Sequence, residues 1–368
     1  MELIHLIYDH PQNPWLGGGA ALRAKAVSAF LGKKGDIVHF VSGGFPGNIG
    51  EEPHIENHFT SRSKHYLFSR LLFSLKAGSV VKKLKKTRKI DILVEDISLF
   101  NIIFPKFFWK GPTISLIHNY LGFQSFKKLG IFGIIPFLME RHYLKHRKNF
   151  IAVSESLKSR ILTLNPKANV TVIHNGIDEA AFSYKQKPDA DKIGFIGRIE
   201  INQKGLDTLI QALSILKAEK FPFKALLIGG GKDEPALQKM IDKLGLHDSI
   251  ELTGRLGTER FARLSECRIV CMPSRFEGWG IAAIEAAAEG IPVIASNIEG
   301  LCEAVIDGET GVLIQSTPEK LAETIKVLLA DSAKMERLSA NAQKHAAAFH
   351  WEKIANEQRA LYTSLLQV

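Results

Sequence analysis

Short apolar runs alternate with amphipathic stretches along nearly the whole of this 368-residue chain. Runs such as residues 37–42 and 269–272 are rich in Val and Ile and do not alternate cleanly between apolar and polar residues. Such runs are typical of strands buried on both faces, and they predict parallel sheets with helices on either side. Because a domain usually has about 150 residues, the pattern predicts an α/β chain of two doubly wound domains.

One polar segment interrupts this pattern. Residues 178–191 (DEAAFSYKQKPDAD) contain a proline and no apolar run, so they are predicted to link the two domains. The N-terminal domain would then span residues 1–178 and the C-terminal domain residues 179–350. Residues 351–368 form a helical pattern with an apolar stripe that needs a surface to cover it, and the N-terminal domain offers one.

Basic residues are concentrated in the first half of the chain. Residues 60–150 contain 18 Lys and Arg against 4 Asp and Glu, whereas residues 181–368 contain 23 against 25. Aromatic and cationic residues are mixed in residues 104–111 and 129–148. This mixture favours an anionic membrane surface, or an anionic acceptor, as a partner of residues 60–150, with a solvated basic face as the alternative. No known nucleic-acid-binding module is present, so nucleic acid is not expected as a partner.

Three features of the sequence bear on localisation. The longest apolar stretch, residues 129–139, is about half of what a bilayer-spanning helix needs. The first residues lack the basic region and cleavage site of a signal peptide. The three cysteines are too few, and odd in number, for a disulfide framework. The chain is expected to be cytoplasmic, with peripheral attachment to the inner face of the cytoplasmic membrane as an extension of that expectation.

The segment PSRFEGWGIAAIEAAAEGIPVIAS (residues 273–296) carries the most specific chemistry. A predicted strand ends before Gly278 and Gly280, and a helix begins near Ile281. Open parallel sheets bind ligands beyond the carboxyl ends of their strands, glycine allows close backbone approach, and a helix N-terminus attracts anions. Glu277 and Glu285, eight residues apart, can accept hydrogen bonds from sugar hydroxyls. The alternative is a surface loop before an Ala-rich packing helix.

Other residues could complete a phosphate site. Arg198 and Lys204 flank a strand-to-helix turn and suit a diphosphate whose charge grows as it leaves, although they could also be an ordinary surface pair. Gly18 belongs to a glycine triplet that would form either a phosphate cradle or a flexible turn. His118 ends a predicted strand at a carboxyl end. Cys267 and Cys271 have no partner pair or histidine cluster, and no metal site is expected.

These segments resemble the E-x7-E signature of retaining nucleotide-sugar glycosyltransferases of the GT-B fold, specifically glycosyltransferase family 4. The resemblance covers essentially the whole chain, is strong in residues 150–315 and is weak in residues 45–150. The other matching segments are WLGGGAA (15–21), IHN (117–119), AVSES (152–156), VIHNGID (172–178), FIGRIEINQKGLDTLIQAL (195–213), LLIGGGKDEPAL (226–237), LTGRLG (252–257), ETGVLI (309–314) and FHWEKIA (349–355).

The resemblance implies two Rossmann-like domains that face a cleft. It implies transfer of a sugar, with retention, from a nucleotide diphosphate sugar to a glycan or lipid-linked acceptor in glycan and cell-envelope biosynthesis. A UDP-sugar is favoured as the donor and a GDP-sugar is the second choice. No metal or other cofactor is implied. A GT-B-fold sugar-nucleotide epimerase and a catalytically inactive nucleotide-sugar-binding protein remain as alternatives.

The resemblance also assigns roles to residues. Arg198 and Lys204 would hold the donor phosphates, Glu277 would contact the transferred sugar, and Glu285 would contact the ribose hydroxyls. His118 is expected to orient or stabilise the reacting sugar. The predicted catalytic residues are His118, Glu277, Arg198 and Lys204. The predicted donor-binding residues are Gly18, Arg198, Lys204, Arg255, Glu277, Gly278, Gly280, Ile281, Ala282 and Glu285.

Overall fold

In the computed structural model the chain divides into two compact units, Met1–Asn175 with Trp351–Val368, and Gly176–His350. The structure describes residues 1–10, 13, 19–45, 54–60, 66–97, 108–120, 122, 125–126, 130–187 and 189–367. The predicted linker at residues 178–191 belongs to the second unit instead. Its backbone is bound there, because the amides of Gln186 and Lys187 donate to the carbonyls of Glu289 and Ser265, each over 2.8 Å.

The first unit contains a parallel sheet of seven strands. The strands are β1 (Glu2–Leu6), β2 (Ile37–Ser42), β3 (Ile55–Phe59), β4 (Ile92–Asp96), β5 (Thr113–Ile117), β6 (Asn149–Ala152) and β7 (Asn169–Val172). Their order in the sheet is β3-β2-β1-β4-β5-β6-β7. The helices described in this unit are α1 (Gly19–Lys33), α2 (Tyr66–Thr87), α3 (Ile134–His146) and α4 (Glu155–Leu164), with a 3₁₀ turn at Gly130–Gly133.

Helices cover both faces of this sheet, which confirms the predicted doubly wound architecture. Side chains alternate along a strand, so Leu3 and Ile4 of β1 point to opposite faces. Leu3 packs in a core that includes α1, whereas Ile4 packs in a second core that includes Phe73 and Val81 of α2. Burial on both faces explains why these strands read as continuous apolar runs.

The last helix, α14 in chain order (Trp351–Leu366), completes the first unit. Its residues Ile354, Ala355 and Tyr362 are buried in the core that contains Leu3. The buried guanidinium of Arg23, on α1, donates from Nε and Nη2 to Oε1 of Gln358 on α14, over 3.1 and 2.8 Å. The helix therefore belongs to the interior of the first unit, although it follows the second unit in the sequence.

The second unit contains a parallel sheet of six strands. The strands are β8 (Lys192–Ile196), β9 (Lys224–Ile228), β10 (Ile250–Leu252), β11 (Cys267–Met272), β12 (Val293–Ser296) and β13 (Gly311–Ile314), in the order β10-β9-β8-β11-β12-β13. The helices described are α5 (Ala180–Ser183), α6 (Ile201–Lys204), α7 (Leu206–Ala218), α8 (Glu234–Lys243), α9 (Glu259–Leu264), α10 (Ile281–Ala288), α11 (Leu301–Ala304), α12 (Pro318–Ala330) and α13 (Ser332–Ala346), with a 3₁₀ turn at Ala347–Phe349.

Strand β3 and helix α13 have polar sequences, so neither shows the apolar run or the broad apolar stripe from which the sequence predicts an element. Strand β3 is at the edge of its sheet, where all five of its residues are only half-buried. Helix α13 buries a narrow stripe that includes Met335, Leu338 and Ala342, and the rest of the helix is polar. Within the described ranges, no helix combines the length and the apolar character that crossing a bilayer takes.

Candidate functional site

The loops that follow adjacent strands of the second unit close on one another at the carboxyl edge of the sheet. The amide of Gly229, after β9, donates to the carbonyl of Gly254, after β10, over 3.1 Å. A Cβ at Gly229 would lie 1.8 Å from the carbonyl oxygen of Gly197, after β8, so only glycine fits there. This packing places Arg198 and Arg255 on loops at the same edge, where parallel sheets bind ligands.

Lys204 and Glu277 form the central pair of this edge. Nζ of Lys204 lies 2.5 Å from Oε1 of Glu277, and Oγ of Ser274 donates to the same oxygen over 3.0 Å. Lys204 is only 9% exposed, which is unusual for lysine and requires a partner of opposite charge. The predicted phosphate residue and the predicted sugar residue are thus in direct contact.

A close backbone approach fixes the position of Lys204. Gly205, which follows it, has a φ of 63°, and a Cβ there would lie 1.9 Å from the carbonyl oxygen of Pro273 at the end of β11. Any other residue would force the turn and the strand apart. At the other end of α6, Asp233 accepts a hydrogen bond from the amide of Ile201 over 2.9 Å.

Arg275, on the loop that carries Glu277, forms hydrogen bonds to the same turn. Its guanidinium donates to both carboxylate oxygens of Asp207, over 2.8 and 2.7 Å, and to the carbonyl of Asn202 over 3.1 Å. The hydrogen bond to Asp207 raises the pKa of Arg275. The sequence did not predict a role for Arg275, although this residue lies two positions before Glu277 in the segment 273–296.

Glycines shape the loop between Glu277 and α10. Gly280 has a φ of 93° and immediately precedes the helix, while Gly300 packs so closely that a Cβ there would lie 2.8 Å from the carbonyl oxygen of Glu277. Ile281 and Ala282 form the first turn of α10, where no preceding helical carbonyl is available to the backbone amides. Gly278 lies between these features, so the backbone of this loop can approach a ligand.

Glu285 has a partner of its own. Nη2 of Arg260 donates to its Oε1 over 2.9 Å, and the same Nη2 lies 3.6 Å from Oδ2 of Asp178. Burial raises the pKa of Glu285, and Arg260 opposes this shift. The two glutamates of the E-x7-E segment therefore bind different cations, Glu277 that of Lys204 and Glu285 that of Arg260.

Glu289 lies one turn further along from Glu285 and is fully buried, with 0% exposure. Neither of its carboxylate oxygens has a hydrogen-bond partner within the described residues. Burial, together with the charge of Glu285, raises the pKa of Glu289 to about 9. The folded protein therefore holds this side chain as a neutral acid at pH 7.

Replacing Glu289 with glutamine is expected to stabilise the protein increasingly as the pH rises. The raised pKa means that folding must keep the acid protonated, while the unfolded chain releases the proton above about pH 4.3. The penalty grows from there up to about pH 9. At pH 7, about 2.7 units above the unfolded pKa, the variant should gain about 3–4 kcal/mol in free energy of unfolding. Urea denaturation at pH 5, 7 and 9 measures the difference, with Glu336→Gln as an exposed control; a gap that does not widen with pH would contradict the assignment.

In the first unit, His118 belongs to a group of three side chains. Its Nε2 lies 2.7 Å from Oδ1 of Asp96, and Nε2 of His5 lies 2.6 Å from Oδ2 of the same carboxylate. Burial opposes ionisation of Asp96, but the two histidines outweigh it and hold the pKa of Asp96 well below its usual range. The parallel pairing of β4 and β5 brings the end of β4, at Asp96, beside the end of β5, where His118 follows. Sequence reasoning missed Asp96 and His5.

Two further predictions from the sequence are the donor-binding role of Gly18 and the absence of a metal site. Gly18 lies outside the described residues. One group of converging metal-capable side chains is present in the part of the chain that the structure describes, and it consists of His39, Glu56 and His58 in the first unit. It is not part of the Lys204–Glu277 edge.

Two family models match successive halves of the chain. The model described as Glycosyltransferase Family 4 matches residues 17–181, and the one described as Glycosyl transferases group 1 matches residues 176–345. An uncharacterised glycosyltransferase of Methanocaldococcus jannaschii is 32% identical over 310 residues, which cover 77% of this chain and 84% of that protein. A D-inositol 3-phosphate glycosyltransferase of Corynebacterium urealyticum is 31% identical over 224 residues. These residues cover 57% of this chain and only 53% of that protein.

Solved structures share the fold over the full length. A sucrose-phosphate synthase from Thermosynechococcus elongatus matches with a TM-score of 0.83 and 21% identity, covering 100% of both chains. The Anabaena protein HepE, solved in complex with UDP-glucose, matches with a TM-score of 0.77 and 20% identity over 99% of this chain and 100% of that one. These likenesses confirm the predicted GT-B architecture.

Proposed function

Because this chain belongs to glycosyltransferase family 4, we propose that it transfers a sugar from a nucleotide diphosphate sugar, with retention, to a glycan or lipid-linked acceptor. The observation that carries the proposal is the contact between Lys204 and Glu277 at the carboxyl edge of the second sheet. A buried cation beside a carboxylate supplies one group for the leaving diphosphate and one for the hydroxyls of the transferred sugar.

The donor would lie along the loops of the second unit. Arg198 is exposed and paired only at the surface, with Glu200 over 3.1 Å, so its guanidinium is available to a phosphate. Lys204 would stabilise the charge that grows on the diphosphate, and the amides of Ile281 and Ala282 would add to it. Glu285 would accept hydrogen bonds from the ribose hydroxyls through the oxygen that Arg260 does not bind.

We propose a UDP-sugar as the donor, with a GDP-sugar as the second choice. The support is that HepE, which shares the fold, was solved with UDP-glucose. The loop that carries Arg255 would lie nearest the base. A sugar-nucleotide epimerase is a poorer fit, because Glu277 and Glu285 have the E-x7-E spacing of the glycosyltransferases and each is paired with a cation.

A panel of UDP-, GDP- and ADP-sugars tests this proposal by thermal shift and by mass spectrometry of the products. A donor at 100 times its dissociation constant should stabilise the protein by about 2.7 kcal/mol. The matching donor should also yield its nucleoside diphosphate with a glycan acceptor. Binding without transfer or hydrolysis would favour the inactive binding protein, and no shift with any donor would refute the donor site.

Transfer is also expected to continue in EDTA. The proposed donor site assigns the leaving-group charge to Arg198, Lys204 and helix amides, so no step calls for a metal ion. Turnover should therefore remain within about twofold of the untreated enzyme, since no transition-state contact is removed. Loss of turnover on chelation that manganese or magnesium restores would show that the assignment is wrong.

We further propose that the first unit docks on anionic membranes, where a lipid-linked acceptor would be presented. Five large apolar side chains are exposed between residues 131 and 138, and that of Ile131 is 81% exposed. Two of the five lie on the 3₁₀ turn Gly130–Gly133 and three on α3, where the basic residues Arg141 and Lys145 follow. Apolar side chains beside cations suit the interface of an acidic bilayer. The five are Ile131, Phe132, Ile134, Ile135 and Leu138.

Liposome sedimentation tests the docking surface. The protein should bind vesicles that contain acidic lipid and should lose binding at high salt, because the attraction is screened beyond roughly 8 Å at physiological salt. Changing Ile131 and Phe132 to serine should release it, whereas changing Leu244 and Val327, exposed in the second unit, should not. Binding that ignores lipid charge, or that survives the first pair of changes, would refute the docking.

A further inference from the structure

Three side chains with metal-binding atoms converge at the outer edge of the first unit's sheet. His39 lies on β2, and Glu56 and His58 lie on β3. Nδ1 of His39 is 3.1 Å from Nε2 of His58 and 3.3 Å from Oε2 of Glu56. That carboxylate oxygen is 4.0 Å from Nε2 of His58. All three ligand atoms thus lie within 4.8 Å of one another.

The register of the sheet produces this convergence. Strands β2 and β3 pair in parallel with His39 opposite Glu56, so both side chains stand on the same face. His58 is two residues after Glu56 on β3, so its side chain stands on that face too. Glu2 of β1 is paired with Ile37, two residues before His39, and also stands there. The group is therefore built on strands, which hold their side chains more rigidly than loops do.

The distances approach those of a tetrahedral zinc site. Zinc binds nitrogen and oxygen at about 2.0–2.2 Å, which places neighbouring ligand atoms roughly 3.3–3.6 Å apart. Two of the three separations are near this range, and the third requires only a small movement of the carboxylate of Glu56, which is partly exposed. We propose that this group binds one zinc ion, through Nδ1 of His39, Nε2 of His58 and Oε2 of Glu56.

Glu2 fixes the tautomer of His39 that zinc binding requires. Its Oε1 lies 2.7 Å from Nε2 of His39, and an ionised carboxylate can only accept, so Nε2 carries the ring proton. Nδ1 is then left with a lone pair directed at the other two ligands. A histidine that binds a metal through one nitrogen and donates to a carboxylate through the other is the usual arrangement of zinc sites.

The ligand types favour zinc over magnesium and calcium. Two imidazoles and one carboxylate suit zinc, whereas magnesium and calcium prefer oxygen ligands alone. Arg88 donates to both carboxylate oxygens of Glu56, to Oε1 over 3.1 Å and to Oε2 over 3.3 Å. Each oxygen has a second lone pair, so Oε2 can bind the ion beside this contact. The side chains of Glu56 and His58 are 40% and 26% exposed, so water can take the fourth position. A bound ion would tie the edge strand β3 to β2.

Isothermal titration of the metal-stripped full chain with zinc chloride tests the proposal. We expect one zinc ion per chain, and no comparable binding of magnesium. His58→Gln and Glu56→Gln each remove a ligand and should lose most of the affinity. Glu2→Gln keeps all three ligands and should lower the affinity about 10–100-fold, because only the orientation of His39 suffers.

His142→Gln is the matched control. His142 and His146 stack on α3 with ring centroids 4.3 Å apart and form another pair of neighbouring imidazoles in this unit. The control should bind zinc as the parent does. The proposal is overturned if the parent binds no zinc, or if His58→Gln and Glu56→Gln bind it as tightly as the parent. Glu56 is exposed enough for its variant to fold, which circular dichroism checks, and the test needs no transferase activity.

Discussion

Replacing Lys204 with alanine is expected to lower turnover by about 100-fold or more. The ammonium group is preorganised beside Glu277 and would face the charge that develops on the leaving diphosphate, and the loss of one such group typically costs a factor of this size. Substrate binding should weaken less than turnover falls, because the charge is greatest in the transition state. Steady-state kinetics with the donor identified by the thermal-shift panel measures both parameters.

Lys192→Ala provides the control for this variant. Lys192 forms an ion pair of similar length in the same unit, 2.6 Å from Glu266, but it begins β8 at the opposite end of the strand from the site. Its loss should leave turnover unchanged. Arg198→Ala should resemble Lys204→Ala, since both cations are assigned to the diphosphate. Full turnover in a folded Lys204→Ala or Arg198→Ala protein would refute the phosphate assignment.

Replacing Asp96 with asparagine is expected to lower kcat by about 100-fold with a small change in the donor KM. Nε2 of His118 lies 2.7 Å from Oδ1 of Asp96, so if His118 orients the reacting sugar, as the family resemblance implies, Asp96 is the residue that positions its ring. An amide can present a donor where the carboxylate only accepts, so the proton on His118 would be misplaced. His118→Ala alone should cause a loss of similar size.

A double-mutant cycle separates positioning from general destabilisation. If Asp96 acts through His118, Asp96→Asn should add little to the loss in the His118→Ala background. Independent, additive losses would contradict that link. His174→Gln is the control, because His174 also bonds within the first unit, to the carbonyl of Val153 over 2.9 Å, and has no assigned role in transfer.

The sequence was sufficient to predict both parallel sheets, because strands buried on two faces carry their pattern in consecutive residues. The prediction failed where burial was partial. Strand β3 is polar because it lies at an edge, and helix α13 keeps its core contacts on a narrow stripe. The linker was misplaced for a similar reason, because residues 178–191 are polar yet their backbone is bound to the second unit.

At the site, the residue types were predictable but their partners were not. The sequence predicted Lys204 and Glu277 from two separate segments, and the close packing at Gly205 explains why the two side chains meet. Asp96 and His5 are far from His118 in the sequence, and the order of the strands brings them together. Pairings of this kind depend on register and topology, which a local pattern does not contain.

The return of α14 to the first unit has a consequence for how the chain is made. Ile354 and Tyr362 fill part of the core built by β1 and α1, yet the ribosome reaches them only after the whole of Gly176–His350. At about 5–20 residues per second, the earlier part of the first unit waits roughly 10–35 s for its last helix. The second unit, by contrast, is contiguous and can fold as soon as it emerges. Folding of the first unit is therefore expected to finish only after the second unit has been synthesised, and a nascent chain stalled before Trp351 would expose the groove that α14 later fills.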